Sequence, residues 1–251
     1  MQLRYSSMRA IITFHSIDNK EDILSCSPDA FRKILVALQS KNIPVYDLDT
    51  LLAKPHAQGV ALTFDDGMKS VSTNALPILK EFDAASHIFL TTGLIGQNNN
   101  WPASDLGVGS YEMLSWDEVE ILQSNKVQFE SHTHTHPDLK KISLDQLKFE
   151  CGKADTIIQS RTGRAPKYFA YPFGKHNKKT RNLVNEIYQA TFSTELAYLT
   201  EDNNNTLPRL DSYYLRNDLI LRNLDNFIGR LYLHTRSLMR TANGSQTPPN
   251  S

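Results

Sequence analysis

Short apolar runs and segments of helical period alternate along the chain. "RAIITFH" (9–15), "VALTF" (60–64), "HIFLTT" (87–92), "VQFES" (127–131), "KYFAY" (167–171) and "YQATFS" (188–193) read as strands, being brief and rich in β-branched or aromatic residues. The segments between them read as helices. In "SPDAFRKILVALQSKN", Ser27 can cap, Pro28 suits the first turn, and Phe31, Leu35 and Leu38 fall on one face. Ser115 with Glu118, and Ser143 with Gln146, have capping-box spacing at the start of two more. Strand then helix, repeated, predicts an α/β fold with a largely parallel sheet, open or closed into a barrel. In such sheets the chemistry gathers at the C-terminal ends of the strands.

Polar clusters sit at those ends. Asp65 and Asp66 follow "VALTF"; His132, His134 and His136 follow "VQFES"; "PFG" follows "KYFAY"; His15 ends the first strand. Adjacent carboxylates after an apolar strand gain nothing from each other, and a cation would relieve their repulsion. Two histidines and one carboxylate make a three-ligand zinc site with a position open for water. In a helical turn His132 and His136 would project together; in an extended strand the pair would be 132/134 or 134/136. The stretch "GQNNNWPASDLGVGSYEM" (96–113) reads as a loop beside this rim, with Trp101 and Tyr111 either stacking on a sugar or anchoring the loop.

With 251 residues, 40% of them hydrophobic, the chain can bury a barrel-sized core, and one domain is expected. Lysine plus arginine and aspartate plus glutamate both number 27, so no bulk charge points to nucleic acid. The 2 cysteines, Cys26 and Cys151, are far apart and unpatterned, which excludes a disulfide scaffold. No apolar run approaches about 18 residues and the first residues lack a secretory pattern, so the expectation is a cytoplasmic protein. Residues 1–7 read as an extension, 8–215 as the barrel domain, and 241–251 as a disordered tail.

"TFDDG" (63–67), "SHTHTHP" (131–137) and "FAYPFG" (169–174) resemble, in order, the first three motifs of the polysaccharide deacetylases, the carbohydrate esterase family 4 domain. The resemblance spans roughly residues 8 to 210. It implies a single-domain deformed (β/α) barrel of about seven strands and a metal-dependent hydrolase that removes N-acetyl groups from amino sugars. Its implied ligands for one divalent ion, zinc first, are Asp66, His132 and His136. Asp65 would be the base, Thr133 would support the histidine loop, and the backbone N–H of Phe173 would face the oxyanion. Where the family's third motif commonly carries an arginine, this chain has Ala170. "TFHSI" (13–17) resembles the opening of the exopolysaccharide and surface-polysaccharide deacetylases, which makes His15 the general acid. "LPRLD" (207–211) resembles another block of that subgroup, and Arg209 could replace the arginine beside Asp65. The family's late Leu-His pair has only "YLHTR" (232–236) to match it, inside a helical pattern, so His234 is expected to stand outside the site. An O-acetyl esterase or deformylase could use the same residues, and an inactive carbohydrate-binding domain is the alternative from another class.

Residues 216–240 read as one basic amphipathic helix. Leu221, Leu224, Ile228, Leu231 and Leu238 form a stripe, and five arginines against two aspartates leave a surplus of positive charge. Such a helix either packs on the barrel with its arginines solvated or lies on an anionic membrane, which would suit a lipid-linked N-acetylated sugar as substrate.

Overall fold

The computed structural model describes residues 8–99, 109–200 and 206–242. Among these, seven parallel strands close into a barrel: β1 (Arg9–Phe14), β4 (Gly59–Phe64), β5 (Ser86–Leu90), β6 (Val127–Ser131), β7 (Tyr168–Ala170), β8 (Ala190–Leu196) and β9 (Thr206–Asp211). A two-stranded ribbon, β2 (Ser16–Ile17) with β3 (Ser25–Cys26), lies outside it. Closure comes where Ile12 and Thr13 of β1 pair with Leu210 and Asp211 of β9. That last strand is the block 207–211 extended by one residue; Pro208 within it hides the strand from a pattern reading.

The connecting helices are α1 (Pro28–Ser40), α2 (Leu48–Ala53), α3 (Leu76–Glu81), α4 (Trp116–Gln123), α5 (Leu144–Thr162) and α6 (Lys178–Ile187), followed by α7 (Asp218–Arg222) and α8 (Phe227–Ala242). Ser27 caps α1, and the capping boxes of Ser115/Glu118 and Ser143/Gln146 both form. Alternate strand residues face opposite sides. Ile11, Ala61, Phe89, Tyr168, Ala170 and Phe192 fill the barrel, while Ile12, Leu62, Ile88, Leu90 and Phe129 pack outward against helices.

Helix α2 stoppers the N-terminal end of the barrel. Its Leu48 and Leu51 join the interior cluster, and polar contacts from several strands hold it. The Leu48 N–H donates to His87 Nε2 at 3.0 Å, Arg9 donates to the Leu51 carbonyl at 3.0 Å, and Asp49 accepts from Lys167 and the Tyr168 hydroxyl. The barrel's weak seam is β6 against β7, registered only by Ser131 opposite Phe169. The buried Glu130 carboxylate spans it, accepting from the backbone N–H groups of Lys167 at 2.8 Å and Tyr168 at 3.0 Å. A side chain thus supplies bonds that the strand ladder lacks there.

The C-terminal segment departs from expectation twice. The single helix predicted over 216–240 is two, because Asn217 caps a short α7 and Asn223–Asn226 turns the chain before α8. The leucine stripe is divided as well: Leu221 and Leu224 are buried, whereas Ile228, Leu231 and Leu238 are exposed. Arginines turn toward the barrel instead, Arg230 over the Tyr198 ring and Arg236 and Arg240 over Tyr214. Trp101, residues 1–7 and residues 243–251 lie outside the described residues.

Candidate active site

The C-terminal rim gathers side chains from four strand ends. Asp65 and Asp66 follow β4, and the pair is buried. Consecutive residues diverge here because Asp66 adopts a left-handed conformation, φ 72°, and Gly67 follows at φ 87°. A Cβ at Gly67 would also stand 2.7 Å from the Leu90 side chain, so this turn requires glycine.

Asp65 points into a salt bridge with Arg209 of β9. The guanidinium engages both carboxylate oxygens, at 2.7 and 2.6 Å, and donates from Nε to the Ser193 carbonyl at 3.1 Å. Both partners are buried. Burial alone would raise the Asp65 carboxyl, but the Arg209 charge and hydrogen bonds, with His132 and His15 nearby, hold it below the ordinary carboxylate range. The bidentate pair uses one lone-pair direction per oxygen and leaves others for a further donor. Ala170 lies inside the barrel among Ile11, Phe89 and Phe192, so the arginine comes from β9 rather than from the third motif.

Asp66 faces the histidines. Its Oδ1 is 3.3 Å from Nε2 of both His132 and His136, and these two nitrogens are 3.2 Å apart. Among the described residues this is the group whose donor atoms could hold a metal ion. Three donors at about 2.0–2.1 Å from a tetrahedral ion would lie roughly 3.3–3.4 Å from one another, so the triangle fits. His132 is pre-set for it: its Nδ1 lies 2.7 Å from the Ala170 carbonyl, which can only accept, so Nδ1 carries the proton and Nε2 presents a lone pair. Burial pushes the Asp66 carboxyl up, yet contacts with His132 and His136 outweigh it and leave it well below the usual range. Burial also lowers His136, and Asp66 opposes that only in part.

The i, i+4 pair does not converge through a helical turn. Residues 132–136 form an irregular loop in which Thr133 (φ 68°) and His136 (φ 59°) are left-handed. Among the described residues seven non-glycine residues have positive φ, and Asp66, Thr133, His136 and Phe173 of this rim are four of them. Such backbone persists only where surroundings over-determine it. Here Thr133 Oγ1 accepts from the His136 N–H at 3.1 Å, and Glu150 of α5 accepts from the N–H groups of His134 and Thr135 at 2.8 and 2.7 Å and from the Thr135 hydroxyl at 2.7 Å. From the other side, the Gly93 N–H reaches the His134 carbonyl at 2.7 Å, an approach that a Cβ on Gly93 would block at 2.6 Å. His134 itself turns away, its Nδ1 2.9 Å from the Thr92 hydroxyl.

Glu150 is the residue sequence reading missed. Its signal is an acid within the buried face of α5, between Leu147 and Cys151. Phe173 lies in the Pro172–Gly174 turn with φ 56°, its ring centroid 4.4 Å from that of His136. His15 is half-buried at the end of β1, near enough for its charge to act on both Asp65 and Asp66. Tyr111 is buried, bonded to the Ser25 hydroxyl at 2.9 Å and covered by Lys20, so of its two sequence readings it takes the anchoring one. His234 is exposed on α8.

A parallel barrel with an Asp-His-His donor triangle and a neighbouring arginine-paired aspartate at its C-terminal rim brings together the residues of the motifs by which the sequence resembles a known family. The chain belongs to the polysaccharide deacetylase family, which matches residues 53–190. A poly-β-1,6-N-acetyl-D-glucosamine N-deacetylase of Staphylococcus aureus (strain MRSA252) is 25% identical over 164 residues, covering 61% of this chain and 54% of its own length. The chain spans about half the length of the curated relatives it matches. In fold it is similar to the Streptococcus pyogenes deacetylase PplD solved in complex with acetate, with a TM-score of 0.70, 22% identity and coverage of 82% of this chain and 92% of that one. IcaB from Ammonifex degensii aligns with a TM-score of 0.67 at 20% identity, over 81% of this chain and 91% of that one.

Proposed function

We propose that this protein is a zinc-dependent N-deacetylase of N-acetylated amino sugars in a polysaccharide or glycan precursor. The observation that carries the reading is the Asp66-His132-His136 triangle set beside Asp65, a base held ionised by Arg209. Amide hydrolysis needs an activated water, a polarised carbonyl and a proton for the departing nitrogen. A divalent ion held by the triangle, when bound, acidifies water and polarises an acyl oxygen. Asp65 takes the proton of the attacking water, and Arg209 keeps the carboxylate oriented and charged before the transfer. The backbone N–H of Phe173, fixed by its tight turn, donates to the developing oxyanion. His15, facing the same aspartates from β1, delivers a proton to the leaving nitrogen.

The substrate class rests on the family and on the deacetylase relative, and a lipid-linked sugar fits the basic C-terminal segment. The cytoplasmic placement is part of the same proposal, supported by free, buried Cys26 and Cys151; cell fractionation checks it. Acetate release from free, nucleotide-linked, lipid-linked and polymeric N-acetylhexosamines, alongside matched O-acetyl sugars, tests the activity. Release from the amides requires added metal and Asp65. Release from O-acetyl sugars alone would make the protein an esterase, and release from neither with metal bound would make it a carbohydrate-binding domain.

A further inference from the structure

Helix α8 is mounted with its apolar face outward. At 3.6 residues per turn, Phe227, Ile228, Leu231, Leu238 and Met239 fall within an arc of about 120°, and each is more than half exposed, from 51% to 58%. The opposite side holds Leu233, buried at 1%, and Arg240, buried at 7%. Arg230 and Arg236 lie at the flanks of the exposed arc, half-buried, with their guanidinium groups over tyrosine rings. Neighbouring α7 adds exposed Leu219 and Arg222. A solvated helix ordinarily shows the reverse arrangement, and apolar residues at both ends of the outward face, with exposed His234 and Thr235 between them, mark a binding surface.

Charge decides the occupant. The sequence of α8 contains three arginines and no acidic residue. A second copy placed face to face would bring together two helices of like charge with no acidic residue on either. A surface of anionic headgroups over acyl chains complements both features, taking the exposed apolar residues into its interface while exposed Arg222 of α7 meets the phosphates and the positive charge of α8 adds a longer-range attraction. The helix lies on such a surface rather than through it, because no described helix is long and apolar enough to cross a membrane. Its C-terminal half packs over Tyr214, three residues beyond the end of β9, so the helix that carries the outward face adjoins the rim of the active site.

We infer that the outward face of α8 is a docking surface for anionic lipid bilayers, seating the barrel with its catalytic rim near the membrane. The inference deepens the reading of a lipid-linked substrate, but its test reads binding, not turnover. The full chain is floated with vesicles of phosphatidylglycerol and phosphatidylethanolamine and, separately, of phosphatidylcholine alone. Binding to the anionic vesicles is expected, at least tenfold stronger than to phosphatidylcholine and weakened by high salt. The doubly substituted Leu231→Glu, Leu238→Glu protein should lose it by tenfold or more. Both positions are exposed, so its melting temperature, metal content and turnover of a soluble N-acetylated sugar should be unchanged. Arg222→Ser provides a second variant with a smaller loss. Absence of binding to anionic vesicles, or equal binding by the double variant, would overturn the inference. So would concentration-dependent dimerisation of the parent chain that the double variant abolishes, since the face would then belong to a second copy.

Discussion

Two buried carboxylate–histidine groups stand at opposite ends of this barrel, and they are built to opposite purposes. At the N-terminal end Glu130 accepts from two backbone N–H groups, from Arg164 at 3.0 Å and from His87 at 3.2 Å, while His87 accepts the Leu48 N–H through its other nitrogen. Every atom there meets a partner of the right polarity, and the group closes a seam and fastens α2. At the C-terminal rim Asp66 meets two imidazole nitrogens that face each other at 3.2 Å, and that of His132, whose Nδ1 proton goes to the Ala170 carbonyl, points a lone pair at the common centre. Burial and composition do not separate the two. The direction of the polar atoms does: donors surround Glu130, whereas at Asp66 three atoms of ligand type converge on one point that a cation would fill.

The strongest way to break this contrast is to remove one converging nitrogen. His132→Ala should abolish stoichiometric metal and with it nearly all turnover, measured by metal analysis after gel filtration and by acetate release. His134→Ala, whose imidazole bonds to Thr92, should keep the metal. Equal metal loss from both variants would contradict the ligand set.

Next in size is Asp65→Asn. The amide can no longer take a proton, although it still meets Arg209 through its oxygen, so turnover should fall on the order of 10²-fold or more while metal is retained. Loss of metal in proportion to activity would make Asp65 a ligand and not the base.

What could be read from the sequence divides along the same line. The strands that carry the rim show as apolar runs, and "TFDDG" and "SHTHTHP" announce their chemistry because rare residue types recur at strand ends. Arg209 could be placed beside Asp65 only by resemblance, since 144 residues of chain separate the pair. The turn that makes His132 and His136 converge was unreadable as well: an i, i+4 spacing suggests a helix, and the left-handed Thr133 and His136 that replace it are imposed by Glu150 and Gly93 from other elements. Glu130 and His87 gave no signal, since a single acid or histidine in a strand looks like a solvent-facing residue until the barrel closes over it. The C-terminal helix misled for a related reason. Its period was right, but which face turns inward depends on Tyr198 and Tyr214, which offer rings to arginines.

The structural end of the barrel is tested by Glu130→Ala. Two backbone N–H groups, Arg164 and His87 would lose a buried acceptor together, a cost of about 3–5 kcal/mol by analogy with broken buried pairs. Thermal unfolding should drop by on the order of 10 °C for a chain of this size. Metal affinity of the folded protein should be unchanged. A Glu130→Ala protein that melts normally yet binds metal poorly would erase the distinction between the two ends.

The smallest expected effect isolates what burial alone does to a carboxylate in this fold. Asp155 on α5 accepts from the Tyr188 hydroxyl at 2.9 Å, and burial, opposed only in part by Ser131 and Tyr188, pushes it up to about 6 from an ordinary 3.8. Glu130 adds a little in the same direction. A carboxyl whose folded value exceeds its unfolded one favours the folded state while it stays protonated. That contribution is complete below about pH 4 and is lost as pH rises through about 6. Above that range the ionised Asp155 costs stability. Asp155→Asn keeps an acceptor for Tyr188 and cannot ionise, so it should stabilise the protein at pH 8 by about 2 kcal/mol and leave it nearly unchanged at pH 4. Denaturant unfolding at the two pH values measures the difference. An equal effect at both would mean that Asp155 titrates alike in the folded and unfolded chain, and that its burial on α5 leaves the carboxyl unperturbed.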